Sequence, residues 1–386
     1  MIQGKQIKQQ NTITRPDVNY RAIKSLNCSM IKLFDQDPIK FFEEYKMGKA
    51  KKDKKSTALL IGDMVDFYLL DCKGDYEEFT ARFDEKFALF EGTKGSGQVF
   101  ILCDILFEVT QEDTQDGVVK TDFATRFSEA CRKVQAQDKY KKATEEKILA
   151  DFEANGLQYF QTLLDNVGKS VVDISLVDKA KKVAELLKTD EFTKDLFDSD
   201  TDDVEHFPKH VIEWEYMSID CKSELDLIIV DHKNKVIYPK DLKTTYDNEN
   251  FEYGYLKYRY DLQAAFYRMA VTYWAEENGM TDYRIDHMEF IVADTSYNNR
   301  RPIRFQTSKD DFEQSYSGFS VRGNKYKGLE EIVYEIIWAE ESGNWNVSKD
   351  VFDNKGILPL SLKYDEIQVP VYKASKFSEN PDMEIG

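Results

Sequence analysis

The chain has 386 residues, 41% of them hydrophobic and 13% aromatic, enough core for one large elaborated domain or two. It has no run of about 18 apolar residues, and its polar opening "MIQGKQIKQQNTITRPD" lacks the apolar block of a signal peptide, so a cytoplasmic protein with no membrane span is expected. Five scattered cysteines without a C-x-x-C pair, and four dispersed histidines, argue against a disulfide framework, a structural zinc or a His-rich centre, and the net charge of −18 at first opposes a nucleic-acid partner.

Residues 1–18 read as a flexible arm. The first 60 residues hold thirteen Lys and Arg against six Asp and Glu, so the acidity lies downstream. The run "KMGKAKKDKK" (46–55) is either a solvated loop or a phosphate-steering edge. Residues 19–71 read as helices: Met30, Leu33 and Phe34 have helical spacing after Asn27 or Cys28. "DPIKFFEEY" opens with an Asp cap and a proline at the first helical position, and "STALLIGDMVDFYLLD" is a strongly apolar helix over about 56–71. Residues 72–172 are charged and helix-forming, broken at "EGTKGSGQ" and at a loop "EDTQDG", and read as an insertion or cap outside any sheet.

An amphipathic helix follows from a cap at Ser175. Past residue 209 the texture becomes β-branched and aromatic, in "KHVIEWEYMSIDCKSELDLIIVD" and "KVIYPKDLKTT". Then come a helix around 258–278, strand-like "YRIDHMEFIVAD" and "RPIRFQTS", a helix "GLEEIVYEIIWAEESG" and an irregular tail over 346–386. Residues 173–345 therefore predict an α/β or α+β core, with strands clustered between helices. His206 and His210 have helical spacing, but Pro208 between them opposes one helix and a ligand pair there.

With His232-Lys233-Asn234-Lys235 as a four-residue hairpin loop, Asp231 pairs with Val236 and Asp226 falls opposite Asp241. Alternation then puts Asp241, Lys243 and Asp226 on one face. Two facing carboxylates repel unless compensated, by Lys243 on a solvated hairpin or by a divalent cation. Asp226 inside "LDLIIV", and Gln263 and Tyr267 one turn apart on the next helix, favour a site. Asp66, in an apolar helix four residues after Gly62, is either a further member or a partner for a nearby lysine. Gly62 would let another backbone come close. Tyr258, Arg259 and Tyr260 are candidates for stacking or phosphate contacts.

The ordered set Gly62-Asp63-Met64-Val65-Asp66, Asp226, Asp241-Leu242-Lys243 and Gln263-Ala264-Ala265-Phe266-Tyr267 resembles the PD-(D/E)xK nuclease superfamily, in its exonuclease VIII/RecB-like branch of bacterial and phage recombination enzymes. The segments "SLNCSMIKLF", "DPIKFF" and "NKYKGL" with its helix are similar to the family's flanking helices. The resemblance implies a restriction-endonuclease-like core, a mixed central sheet flanked by helices, with a large helical insertion at 72–172. It implies a DNA exonuclease of recombination or repair that uses Mg²⁺ or Mn²⁺ held by Asp66, Asp226, Asp241 and the Leu242 carbonyl. Lys243 would orient or deprotonate the attacking water, and Gln263 and Tyr267 would support it or anchor the DNA. A homo-oligomer and a single-strand annealing protein as partner are implied as well. Asp66 stands where many relatives carry histidine. The last cysteine, Cys221, precedes the Gln-x-x-x-Tyr helix, so no iron–sulfur cluster is expected. A catalytically silent DNA-binding or assembly module, or an acidic helical interaction protein, are the alternatives.

Overall fold

The computed structural model describes residues 23–49, 56–71, 76–94, 97–296, 300–321 and 323–357. The expected arm at 1–18, positions 50–55 of the basic run and the tail beyond 357 lie outside them. Local signals place the first helices. The Asn27 side chain accepts the Met30 N–H at 3.0 Å and starts helix α1 (Cys28–Gln36). Asp37 and Pro38 start a short helix at Pro38–Phe41 in the same manner. Ser56 caps α2 (Thr57–Asp66), which continues through one widened turn at Phe67–Asp71.

A helix at Tyr76–Lys86 leads into strand β1 (Phe87–Phe90), then helices α3 (Gln98–Glu112) and α4 (Phe123–Ala136), two shorter helices, and β2 (Ser170–Asp173). The "EDTQDG" segment is more ordered than a loop. Asp116 and Gly117, both at positive φ, turn a small hairpin between Thr114–Gln115 and Val118–Val119. These helices enclose an apolar core of their own, around Leu102, Leu106, Phe127, Ile148 and Tyr159. β1 and β2 pair in parallel as a two-stranded ribbon, and neither strand joins the central sheet. Ala88, Phe90 and Val171 of the ribbon face that core, while Phe87 and Val172 face the core beneath the sheet.

Helix α5 (Ile174–Thr189) corrects one expectation. Its cap is Asp173, whose carboxylate accepts the Leu176 N–H at 2.9 Å, and the Ser175 hydroxyl only donates to that carboxylate. Strands β3 (Val204–Tyr216), β4 (Ile219–Asp231), β5 (Val236–Thr245), β6 (Glu289–Asp294) and β7 (Ile303–Gln306) lie in the order β7-β6-β5-β4-β3, with a two-residue strand (Arg284–Ile285) also on β5. Met217 and Ser218, at φ 51° and 63°, turn β3 into β4. Asp231 pairs with Val236 around the four-residue loop, the register expected. Helix α6 (Tyr260–Glu277) carries the chain from β5 to the parallel neighbour β6, which makes the sheet mixed.

Helices cover both faces. On one, α1, α6 and α7 (Leu329–Ser342) pack on Ile212, Trp214, Leu225, Ile228 and Ile237. On the other, α2 and α5 pack on Leu227, Ile229, Leu242 and Ile291. The chain is thus an α/β fold with a mixed central sheet flanked by helices. Among the described residues, no helix is long and apolar enough to cross a membrane.

Candidate active site

The site lies where the sheet forks. β4 and β5 are paired from Asp231–Val236 to Leu227–Lys240, and there the ladder between them ends. Beyond it β4 stays with β3, while β5 pairs with β6 from Lys240 to Thr245. Asp226 and Asp241 stand at the point of divergence. In place of a ladder bond, Asp226 Oδ2 accepts the Leu242 N–H at 2.7 Å, so a side chain bridges the opened strands. The Leu242 carbonyl faces the Lys243 ammonium at 3.4 Å.

A break in the strand alternation accompanies the fork. In β3, Phe207 and then Ile212 and Trp214 pack on the same core, as do Leu225 and then Ile228 in β4. Strict alternation would put an odd and an even residue on opposite faces. The change of phase falls at Lys209, which lies opposite Asp226 between the pairs Pro208–Leu227 and His210–Leu225. Lys209 has φ 46°, in the left-handed region that costs a non-glycine residue about 1–2 kcal/mol. His206 and His210 lie on this strand, on either side of the break, and the His206 ring bonds to Asp200 at 2.9 Å.

The Lys209 ammonium donates to Asp226 Oδ1 at 2.7 Å and to Asp66 Oδ2 at 2.8 Å. Asp66 is brought in by α2, which approaches β5 closely at Gly62: a Cβ there would lie 3.3 Å from Thr244 Oγ1. Asp66 thus meets Lys209 from across the site. Asp241, only 2% exposed, makes a second group. Its carboxylate accepts from Lys243 and, at 2.7 Å, from the Gln263 amide of α6. Gln263 Oε1 in turn accepts from Lys32 of α1 at 3.3 Å. The Tyr260 ring lies beneath both Lys32 and Lys243, 4.8 and 4.9 Å from its centre.

Tyr267, one turn beyond Gln263, is half-buried against the apolar clusters on either side of it. Arg259 must be corrected. Its guanidinium is spent inside the protein, on Asp35, on Asp261 and on the Lys327 carbonyl, so it offers no phosphate contact. Lys32 and Lys209 escaped the sequence reading, and each is far along the chain from the residues it meets.

The electrostatics follow from crowding. Burial raises the Asp66 carboxyl, Lys209 pulls it back and Asp226 pushes it up again, leaving it at about 7. Asp241 stands at about 6, raised by burial and by Asp226 against the pull of Lys243. Asp226 is held low: burial opposes its charge, but Lys209 and Lys243 outweigh that. Burial also disfavours the Lys243 ammonium, yet Asp241 and Asp226 raise its pKa well above the usual lysine value. Burial lowers Lys32.

Three carboxylates from three elements are the donor chemistry of a hard divalent cation. Among the described residues, however, no three His, Cys, Asp or Glu side chains lie close enough together to hold an ion. The residues fit a divalent cation in kind, while the Lys209 ammonium takes the place between two of them.

No protein-family model matches the chain, and no curated protein matches it. Among solved structures it is similar to a "Putative exonuclease" from Eubacterium rectale, at 14% identity over 95% of this chain and 100% of that one, with a TM-score of 0.45. That likeness carries no argument, and the fold rests on the sheet and its flanking helices.

Proposed function

We propose that this chain is a metal-dependent nuclease that hydrolyses phosphodiester bonds in DNA, acting from strand ends. One observation carries the reading. Helix α2, strands β4 and β5 and helix α6 each deliver a member of the set Asp66, Asp226, Asp241–Lys243 and Gln263 to the fork. Asp66, Asp226 and Asp241 would hold Mg²⁺ or Mn²⁺, with the Leu242 carbonyl as a further oxygen donor. When bound, such an ion polarises a phosphate and acidifies a water.

The chain's own residues have separable roles. Lys243, bonded to Asp241 and beside the Leu242 carbonyl, would orient or deprotonate the attacking water. Gln263 fixes the Asp241 carboxylate and ties it to Lys32. Lys32 and Lys243, stacked over Tyr260 beside the carboxylates, would be the cations nearest an incoming DNA backbone.

Linear and covalently closed circular duplex DNA, incubated with Mg²⁺ or Mn²⁺ and with chelator, test the proposal. Digestion of the linear form alone, abolished by chelator and by Asp241→Asn, is expected. A protein that shifts DNA on a gel but cuts neither form with any metal would overturn it. That outcome would favour a silent DNA-binding module, the reading supported by the ammonium between Asp66 and Asp226.

A further inference from the structure

Lys209 is the part of the site that the nuclease reading leaves unused. It comes from β3, which supplies no other member, and its backbone is left-handed inside the strand. That conformation turns the side chain toward Asp226 across the ladder and Asp66 above it, with Nζ 2.7 and 2.8 Å from their oxygens. With Lys243 on Asp241 as well, each of the three carboxylates has an ammonium as partner. A divalent cation held by both Asp66 and Asp226 would compete with Nζ for the same oxygens and the space between them. Two cations cannot share that space, and they repel.

Resting on the reading of this site as a metal centre, we propose that Lys209 is the centre's resident counter-ion: it holds Asp66 and Asp226 together while no metal is bound, and a divalent cation binds by displacing it. The route out exists. The Lys209 side chain is 20% exposed, and its four-carbon stem lets the ammonium swing to solvent without moving the strand. Two consequences follow. Metal affinity is set by competition with an internal ammonium, and the carboxylates keep their separation between binding events. Lys209 is a positioning residue on this view and touches no substrate.

Calorimetric Mn²⁺ titration of the full, chelator-stripped chain tests this, using wild type, Lys209→Met and Asp226→Asn. Lys209→Met should bind Mn²⁺ about tenfold tighter or more, a change of about 1.4 kcal/mol, and Asp226→Asn should lose binding. Equal or weaker binding by Lys209→Met, with Asp226→Asn still deficient, overturns the displacement and leaves the metal centre standing. No binding by either wild type or Lys209→Met overturns both. If Lys209→Met does not fold, Lys209→Gly takes its place, since glycine accepts the left-handed backbone. A second measurement needs no variant: acetylation of Lys209, read by mass spectrometry, should rise several-fold when Mn²⁺ is added. Lys240, buried against Glu289, serves as the unchanged control. Equal labelling of Lys209 with and without Mn²⁺ would sink the proposal.

Discussion

Replacing Asp66 by asparagine should change how the metal-free protein responds to pH, and the sign can be worked out. The Asp66 carboxyl stands at about 7 in the fold against 3.8 for an unperturbed group, so the folded chain binds this proton more tightly than the unfolded one. The stability this brings is complete at pH values below 3.8 and is lost as pH climbs through about 7. At about 1.36 kcal/mol per pH unit the gap corresponds to about 4 kcal/mol. Because Asp66 and Asp226 share Lys209 and titrate together, about 2–3 kcal/mol is the figure to expect. Asp241, also raised, adds a loss of the same sign, but it is present in both proteins and cancels in their difference. Urea unfolding in chelator at steps from about pH 4.5 to about pH 8.5 gives the two stability curves. Wild type should lose about 2–3 kcal/mol relative to Asp66→Asn across that range. A flat difference, or wild type gaining on the variant, would show that Lys209 keeps Asp66 ionised throughout and that burial does not govern it.

Lys243→Ala should retain Mn²⁺ binding by calorimetry while the cleavage rate falls by about 10²–10⁴; loss of metal binding instead would reduce Lys243 to a counter-charge. Gly62→Ala gains helix propensity but pushes a methyl toward Thr244 Oγ1, so it should stabilise by up to about 1 kcal/mol only in a Thr244→Ala background, read as a double-mutant cycle. An additive cycle would mean that α2 and β5 can relax apart. Arg259→Ala leaves the fully buried Asp261 without its partner and should cost about 3–5 kcal/mol in urea unfolding, with gel-shift affinity for DNA unchanged in the folded fraction. Weakened DNA binding at unchanged stability would restore Arg259 to the DNA surface.

The parts legible in the sequence were those encoded within a few residues. The polar loop 232–235 set the hairpin register, and that register placed Asp226 level with Asp241 before any coordinates. Asp37 before Pro38 announced one helix start through short-range capping chemistry, and of Asn27 and Cys28 it is Asn27 that caps the helix after it. Strict alternation, however, could not foresee the break at Lys209. A lysine carries no signal that it will adopt φ 46°, and its two partners lie 17 and 143 residues away. Lys32 was hidden for the same reason, since its partner Gln263 is 231 residues distant. Arg259 looked like a surface cation among tyrosines, because nothing local reveals that Asp35 and the Lys327 carbonyl close around it. Asp173 displaced Ser175 as cap by two positions, a choice that depends on where β2 ends.

The ribbon formed by β1 and β2 has a consequence for how the two apolar cores can vary. Its alternate residues are committed to different neighbours, Phe87 and Val172 to one core and Ala88, Phe90 and Val171 to the other. Sliding β1 by a single residue would bring Ala88 where Phe87 belongs, and sliding β2 would bring Ser170 or Asp173 to a valine's place. The ribbon therefore works as a coupling pin. The helices beyond it can lengthen, shorten or be rebuilt at their outer ends with little effect on the sheet. Inserting or deleting one residue within the four-residue strands, by contrast, mis-seats both cores at once.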